Sequence, residues 1–135
     1  MSSLKEQKQA QKSAQDQRQV IAELNSVVRD IERCEKSALE LQNDLVAANT
    51  QYPSPRSTRE DISYLTELLK CANKKLVWEK HMVSLQKRMP ALLEKLSAVM
   101  NDSQNPPPEE VRAELLRALQ GVQAAMERLQ TAKIS

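Results

Sequence analysis

Apolar residues recur at alternating intervals of four and three along the first third of the chain, starting at Val20. This spacing is the heptad repeat of a coiled-coil helix, whose apolar positions form one continuous seam. The residues before Val20 are mostly polar, so the pattern predicts a long first helix whose N-terminal end has almost no apolar face. The members of the seam are Val20, Leu24, Val27, Ile31, Cys34, Ala38, Leu41, Leu45, Ala48 and Tyr52.

The middle of the chain carries two apolar stripes instead of one. The first consists of Ile62, Leu65, Leu69, Ala72 and Leu76. The second consists of Tyr64, Leu68, Cys71, Trp78, Met82, Leu85, Met89, Leu92, Leu96 and Val99. The spacing continues through Pro90, which favours a kinked but continuous second helix over the start of a new one. A third pattern follows at Val111, Leu115, Ala118, Val122, Ala125 and Leu129.

Two proline-containing stretches separate these helical segments. They are residues 51–57, with two prolines, and residues 101–108, which end in three. Proline interrupts helices because it lacks a backbone N–H and clashes with the preceding turn. Ser57 followed by Glu60 is typical of a capping box at a helix start. The predicted helices cover about 3–50, 58–101 and 108–132.

These segments predict an all-α fold, an elongated three-helix antiparallel coiled-coil arrangement. If residues 51–57 form a hairpin loop, Val20 lies opposite the neighbourhood of Met89. Apolar residues beyond Met89 then need another partner, which a third helix folded back on the second supplies. We therefore expect two overlapping helical hairpins that share the middle helix. Their parts are a polar helical arm at 1–19, a coiled-coil hairpin at 20–101 with its loop at 51–57, and a C-terminal helical segment at 102–135 packed on the second helix.

The first stripe of the second helix is the candidate partner interface. Together the two stripes make the first half of this helix apolar over a wider arc than one neighbouring helix covers. Contiguous exposed apolar surface marks sites of protein association. We expect helices of other chains to bind here; the alternative is that the third helix covers the arc internally. The interface residues are Ile62, Leu65, Leu69, Ala72 and Leu76, with Trp78 as the anchor where the three helices meet.

Composition leaves little material for enzymatic chemistry. The 135 residues include one Gly, one His and two Cys. A single Gly is too few for a phosphate-binding loop, and one His with two Cys do not complete a zinc site. We interpret His81 as a surface residue and Cys34 and Cys71 as buried, reduced thiols. We expect no enzyme activity, no catalytic residue, no cofactor and no metal.

Charge and hydropathy limit the kind of partner. The 20 Lys and Arg against 18 Asp and Glu give a net charge of +2, far from the strongly basic face of a nucleic-acid-binding protein. No apolar run is long enough to span a bilayer, and the polar first 19 residues lack the apolar core of a signal peptide. We therefore expect no nucleic acid, no transmembrane segment and a cytoplasmic location, with nuclear or cytoskeleton-associated locations as alternatives.

A basic face on the second helix supports an alternative function. Its members are Lys74, Lys75, Lys80, Lys87 and Arg88. Such a face attracts an acidic polymer, for example a microtubule, or an anionic lipid surface. The competing interpretation is an ordinary solvated helix face, because Glu79 interrupts the cluster.

The first loop contains a candidate phosphorylation site at Ser54. The hydroxyl precedes Pro55 in a segment expected to be exposed, and a phosphate there would pair with Arg56. The Ser-Pro pair also suits a turn without any modification, and this alternative stays open.

Residues 64–88 combine an aromatic residue, paired leucines and a basic run. In these features the segment resembles helices of the snapin and pallidin type of small coiled-coil subunits, which belong to lysosome-related organelle assembly complexes. Pro90 and the third helix depart from that pattern, and small kinetochore and spindle subunits share its features. We predict a non-catalytic coiled-coil subunit or adaptor of a multi-subunit intracellular complex of either type. Other coiled-coil subunits are the expected partners in a hetero-oligomer, with a homo-oligomer as the alternative.

Overall fold

The computed structural model describes residues 3–132, which form three helices. They are α1, Leu4–Gln51; α2, Thr58–Met100; and α3, Glu109–Thr131. Each helix end lies within one residue of its predicted position, and the all-α three-helix arrangement is confirmed. Residues 1–2 of the predicted arm and 133–135 of the predicted C-terminal segment lie outside the described residues.

Short polar side chains set the starts of α1 and α2. The Ser3 hydroxyl accepts a hydrogen bond from the Glu6 N–H at 3.2 Å. At α2 the predicted capping box is complete, because the Ser57 hydroxyl accepts from the Glu60 N–H and the Glu60 carboxylate accepts from the Ser57 N–H, both at 3.2 Å. These bonds satisfy amides that have no partner within the first helical turn. α3 begins after Pro108, whose ring fixes its φ, without a side-chain cap.

α2 continues through Pro90, as the spacing predicted. Proline inside a helix costs about 3 kcal/mol, because it lacks the N–H that would bond the carbonyl four residues earlier. Leu85 and Leu92, on either side of it, are buried in the core. Burying each of them contributes about 1.5–3 kcal/mol, so the packing on both sides offsets the missing bond.

The packed part of the structure begins at Gln17 of α1, a polar residue that is buried. Its side-chain amide donates a hydrogen bond to the carbonyl of Asn105 at 3.3 Å, in the loop before α3. Further along, the Gln42 amide donates to the carbonyl of Ala132 at 3.5 Å, just after α3. Because these residue numbers rise together, α3 runs parallel to α1. Residues 4–16 of α1 precede this packed part as a mostly exposed helical arm about 20 Å long.

α3 contacts α2, as predicted, and its nearest backbone neighbour is α1. Backbones approach closely between α1 and α2 and between α1 and α3, whereas α2 meets α3 mainly through side chains in the shared core. α3 lies next to α1 at Gly121, where a Cβ would be in ordinary van der Waals contact with Val28, 3.6 Å from its Cγ2. The heptad pattern of α3 identified its buried face but did not specify which helix would cover it.

Burial divides the hairpin into two sections. The three-helix section comprises residues 17–42, 76–100 and 109–131, and the two-helix section comprises residues 43–51 and 58–75. The largest fully buried side chains all lie in the three-helix section: Leu24, Val27, Ile31, Leu115 and Val122. Within the two-helix section, all of which the structure describes, only Ala48 and Cys71 are buried. The core is therefore concentrated where α3 covers the hairpin.

Candidate partner-binding surface

The stripe predicted as a partner interface on α2 is open to solvent. Ile62, Leu65, Leu69 and Leu76 each keep between 56% and 63% of their surface accessible. Ala72, between them, is also exposed. Their spacing of three and four residues places them on one side of the helix. The structure leaves this stripe uncovered. Val83, seven residues after Leu76 and alongside α3, is also 48% exposed, so α3 does not cover this side of α2.

Two exposed residues of α1 border the same region and were missed in the sequence. Leu39 and Val46 are 47% and 64% exposed and lie seven residues apart. They share the heptad position of Glu32, which Arg128 of α3 approaches at 3.9 Å. Their spacing was visible in the sequence, but two apolar residues are too few to identify a heptad seam.

Within the described residues, α1 and α2 border an open groove near the C-terminal end of α3. The exposed apolar residues along its edges are Leu39, Val46, Ile62, Leu65, Leu69 and Leu76. At the other end of the hairpin α3 fills the corresponding space, where Met126 lines one pocket with Met82 and Met89 of α2. Val83, seven residues after Leu76, stays 48% exposed beside α3, so the stripe lies at the edge of the space that α3 fills.

Trp78 does not belong to this exposed surface. Its indole N–H donates a hydrogen bond to the carbonyl of Cys34 at 2.9 Å, and the ring packs half-buried against the core. Residues two positions apart in a helix are separated by about 200° around its axis. Trp78 therefore faces α1, while Leu76 faces away from it. The structure separates Trp78 from the other predicted interface residues and places it in the contact between α1 and α2.

Ion pairs connect α1 to one edge of α2 at regular intervals. They are Asp44 with Lys74 at 2.6 Å, Asp30 with Arg88 at 2.7 Å and Glu23 with Lys95 at 3.5 Å. The hydrogen bond to Asp44, together with the negative charge of this carboxylate, raises the pKa of Lys74 above its ordinary value. All three basic side chains lie on helical positions separated by multiples of seven, and so do the acidic ones. Two members of the predicted basic face therefore already pair with carboxylates of α1.

The other predicted basic residues lie elsewhere on α2. Lys80 and Lys87 are exposed, and neither forms an ion pair with a residue of the described range 3–132. Lys75 is half-buried and lies seven residues after Leu68, on the side of α2 that faces the open groove. The predicted basic face is thus divided into a paired edge, an exposed edge and one lysine beside the groove.

An uncharged position interrupts the series of ion pairs. Ser37 occupies the step between Asp30 and Asp44, and His81 occupies the step between Lys74 and Arg88. Both line a cleft of about 450 Å³ on the side of the hairpin that Trp78 also borders. His81 is exposed, as predicted.

The loop at 51–57 is held by Arg56. Its guanidinium donates hydrogen bonds to the Tyr52 carbonyl at 2.9 Å and to the Asp61 carboxylate at 3.0 Å, and it lies 4.0 Å from the centre of the Tyr64 ring. Ser54 is exposed in this loop. A phosphate on Ser54 would therefore compete with three existing contacts for Arg56, and the phosphorylation site stays a prediction.

Both cysteines are free thiols buried in the hairpin, as predicted. Burial, together with the negative charge of Asp30, raises the pKa of the Cys34 thiol above its ordinary value. Across residues 3–132 no group of three or more His, Cys, Asp and Glu side chains is arranged to hold a metal ion. In the same range no helix has the length and apolar character to cross a membrane.

Comparison with known proteins adds no relative. No protein-family model, curated protein or solved structure matches this chain.

Proposed function

We propose that this protein is a non-catalytic helical subunit of a multi-chain intracellular assembly, and that it acts by binding partner helices along the exposed stripe of α2. The observation that carries the proposal is the exposure of Ile62, Leu65, Leu69 and Leu76 on one side of a helix. Side chains of this kind are normally covered when they recur at heptad spacing. The proposal applies equally to assemblies of the trafficking type and of the kinetochore and spindle type.

Approximate burial energies support the binding of a partner helix over the exposed stripe. Burying the rest of each of these four side chains contributes about 1–2 kcal/mol, since a fully buried one contributes about 1.5–3 kcal/mol. Their sum is comparable to the lower part of the range of about 4–15 kcal/mol that association costs in lost motion. A specific complex therefore needs these residues and further contacts around them.

The alternative function, binding of an acidic polymer or lipid surface, has weaker support. Lys74 and Arg88 are already paired with Asp44 and Asp30. Lys80 and Lys87 alone supply only a short basic edge, and exposed charges are screened within about 10 Å at ordinary salt. We therefore retain partner-helix binding as the single proposed function.

The test compares two aspartate substitutions on the stripe with one on α3. The full chain and its Leu65→Asp, Leu69→Asp and Leu116→Asp variants are used as bait in cell extract, and the bound proteins are quantified. Leu116 is an exposed leucine on α3, remote from the stripe, so it controls for the substitution itself. Partners lost from both stripe variants but kept by Leu116→Asp and by His81→Ala support the proposal. Partners that bind equally to all variants would sink it.

Sedimentation equilibrium of the purified chain distinguishes the two kinds of partner. A mass of 15.3 kDa excludes self-association and leaves foreign helices as the partners of the stripe. A multiple of that mass, lost in Leu69→Asp, indicates that the protein pairs with itself. A monomer that binds no partner through the stripe, in either measurement, contradicts the proposed function.

A further inference from the structure

We propose that the helix bound by the exposed stripe of α2 belongs to another protein and anchors an aromatic side chain in an apolar cavity between α2 and α3. The inference rests on the proposed function and adds the chemistry and the position of the partner's anchor. It is carried by the location of this cavity at the end of the stripe and by the three methionines that line it.

The cavity lies where α2 and α3 meet through side chains and their backbones stay apart. Its volume is about 300 Å³, and its lining includes Ile31 of α1, Met82, Met89 and Leu93 of α2, and Met126 of α3. None of the described residues that line it is charged. The cavity therefore suits an apolar group and offers no partner to an ion.

The stripe of α2 continues past Leu76 and reaches this cavity. Val83 follows Leu76 by seven residues and is 48% exposed, and Pro90 follows Val83 by seven and lines the cavity. Leu93, which is 43% exposed, shares the heptad position of Leu65 and lines the cavity as well. Positions seven residues apart lie on the same side of a helix. A helix that lies along the stripe and continues past Val83, beside α3, therefore covers the cavity.

The lining of the cavity favours an aromatic ring. Three of the five methionines of the chain meet there, Met82, Met89 and Met126. Methionine side chains adapt to the shape of a bulky group, and their sulfur atoms make favourable contacts with aromatic rings. Aromatic residues bury about 150–250 Å² each and are common anchors of protein interfaces. An aromatic side chain therefore gains more in this cavity than an aliphatic one.

Such an anchor supplies contacts that the stripe alone lacks. Burial of the stripe residues reaches only the lower part of the cost of association. The stretch from Ile62 to Leu93 corresponds to about 46 Å of helix, or about nine turns of a partner. A helix of this length buries Val83 and Leu93 in addition to the stripe and places one of its ends at the cavity.

The aromatic side chain comes from another protein, because this chain has none free to offer. It contains no Phe, and its aromatic residues are Trp78, Tyr52 and Tyr64. Trp78 is half-buried and donates its indole N–H to the carbonyl of Cys34. The rings of Tyr52 and Tyr64 pack edge to face at 6.4 Å, and the Arg56 guanidinium lies over Tyr64. A second copy would have to break one of these contacts to fill the cavity.

The binding test uses two designed helical peptides of about nine turns and the full chain. Both peptides carry the same Leu and Ile stripe, and they differ only in the stripe position of each terminal turn, which is Phe in one peptide and Leu in the other. Substituting both ends lets either direction of binding bring a Phe to the cavity. We expect the Phe peptide to bind at least about threefold more tightly in fluorescence anisotropy, because sulfur contacts favour the ring. Equal binding of the two peptides, or no binding of the Phe peptide, overturns the inference.

Methionine methyl signals locate the ring. The full chain is labelled with ¹³C at its methionine methyl groups, and NMR spectra are recorded with each peptide. We expect the Phe peptide to shift the signals of Met82, Met89 and Met126 more than the Leu peptide does. Met100 is half-buried at the end of α2 and does not line the cavity, so it is the internal control. Shifts at Met100 that exceed those of the three cavity methionines would contradict the inference.

Substitutions in the chain test the two parts of the site separately. Met126→Leu keeps an apolar side chain of similar volume without the sulfur, so the preference for the Phe peptide should fall to about twofold or less. Val83→Asp should weaken binding of the Phe peptide by about tenfold or more. Val77→Asp is the matched control, because Val77 is a similarly exposed valine of α2 outside the stripe, and it should leave binding unchanged.

Circular dichroism melting of each variant shows that the fold is kept. Loss of binding in Val77→Asp but not in Val83→Asp would place the partner on another side of α2 and contradict the inference. An unchanged preference for the Phe peptide in Met126→Leu would exclude the sulfur contact as its cause and overturn the role of the methionines.

The results also distinguish this inference from the proposed function. Natural partners that require Leu69 but tolerate Val83→Asp and Leu93→Asp would overturn the anchor while the proposed function stands. Partners that tolerate Leu65→Asp and Leu69→Asp would overturn both. Self-association that disappears in Val83→Asp would show that a second copy covers the cavity and would contradict the foreign anchor.

Discussion

The three-helix and two-helix sections have the same kind of heptad sequence but very different interiors. In the first, Leu24 and Ile31 of α1 are fully enclosed, together with Leu115 of α3. In the second, the buried residues are the much smaller Ala48 and Cys71. The α1 seam is continuous across both, so the difference comes from α3, which covers only one section. An apolar heptad position is therefore buried only as far as the number of neighbouring helices permits.

This difference predicts unequal local stability. Hydrophobic stabilisation scales with the apolar area removed from water, at about 25 cal/mol per Å². The two-helix section covers less of that area and exposes three large side chains of α2, Ile62, Leu65 and Leu69. We expect it to open locally at a lower free energy than the three-helix section.

The largest expected effect comes from Leu115, which is fully buried in the three-helix core. Leu115→Ala should lower the free energy of unfolding by about 2–5 kcal/mol, because it removes buried methyl groups and leaves a cavity. The neighbouring Leu116 is 44% exposed, and Leu116→Ala should cost less than about 1 kcal/mol. Urea denaturation followed by circular dichroism measures both. Similar values for the two would contradict the position of α3.

Gly121 tests how closely α3 lies on α1. Gly121→Ala places its Cβ 3.6 Å from Val28 Cγ2, an ordinary contact, and should stabilise the protein by about 0.5–1 kcal/mol through helix propensity. Gly121→Leu should destabilise it by about 1–3 kcal/mol, because the larger side chain must displace Val28. Thermal melting of both variants shows the two signs. Stabilisation by Leu would mean that the helices are further apart.

The reactivities of the two cysteines allow the local stabilities of the two sections to be compared directly. Cys34 and Cys71 are 5% and 6% exposed, but Cys34 lies in the three-helix section and Cys71 in the two-helix section. We expect the thiol of a Cys34→Ala variant to react with a thiol reagent about tenfold faster, or more, than that of a Cys71→Ala variant, because opening the two-helix section costs less. Reaction in denaturant, where both thiols are accessible, is the control. Equal rates in the native protein would remove the proposed difference in stability.

Cys34 also makes stability depend on alkaline pH. Its pKa is raised in the folded protein by burial and by Asp30, so the folded state holds this proton more tightly than the unfolded state. The resulting stability is present below the unfolded pKa of the thiol and is lost as the pH rises toward the folded pKa. Urea denaturation at neutral and alkaline pH should show a smaller decrease for Cys34→Ala than for the unsubstituted chain. The same decrease in both would exclude Cys34 as the cause.

The smallest effects are expected from the ion pairs. Asp30→Asn in the three-helix section and Asp44→Asn in the two-helix section should each lower the free energy of unfolding by about 0.2–1 kcal/mol, because both pairs are largely exposed. High salt should remove most of either effect. A larger, salt-independent loss in either variant would mean that the pair is effectively buried.

The sequence predicted the helices well because their ends are chemically marked. Ser57 with Glu60 and the prolines before α3 fix two starts, and the α1 seam was visible as an uninterrupted repeat. The closer backbone approach of α3 to α1 was not predictable, because the same apolar face of α3 fits either neighbour. Leu39 and Val46 were also missed, because two apolar residues seven apart are too few to identify a seam.

Trp78 shows a further limit of sequence patterns. It follows Leu76 by two residues in an apolar arc, and the sequence placed both in one interface. In three dimensions the hydrogen bond from its indole to Cys34 assigns it to the contact with α1. The ion pairs between α1 and α2 could have been predicted, because the acidic residues of α1 and the basic residues of α2 that form them recur at the same heptad spacing.

That shared heptad spacing limits how the length of this hairpin can change. One residue inserted in α1 between Asp30 and Asp44 would rotate the following part of the helix by about 100°. Asp44 would then leave Lys74, and the apolar seam would turn away from α2. Seven residues inserted in each of α1 and α2 at the same level keep every pair and the seam in place. Longer or shorter forms of this hairpin are therefore expected to differ in steps of about 10 Å, one heptad in each arm.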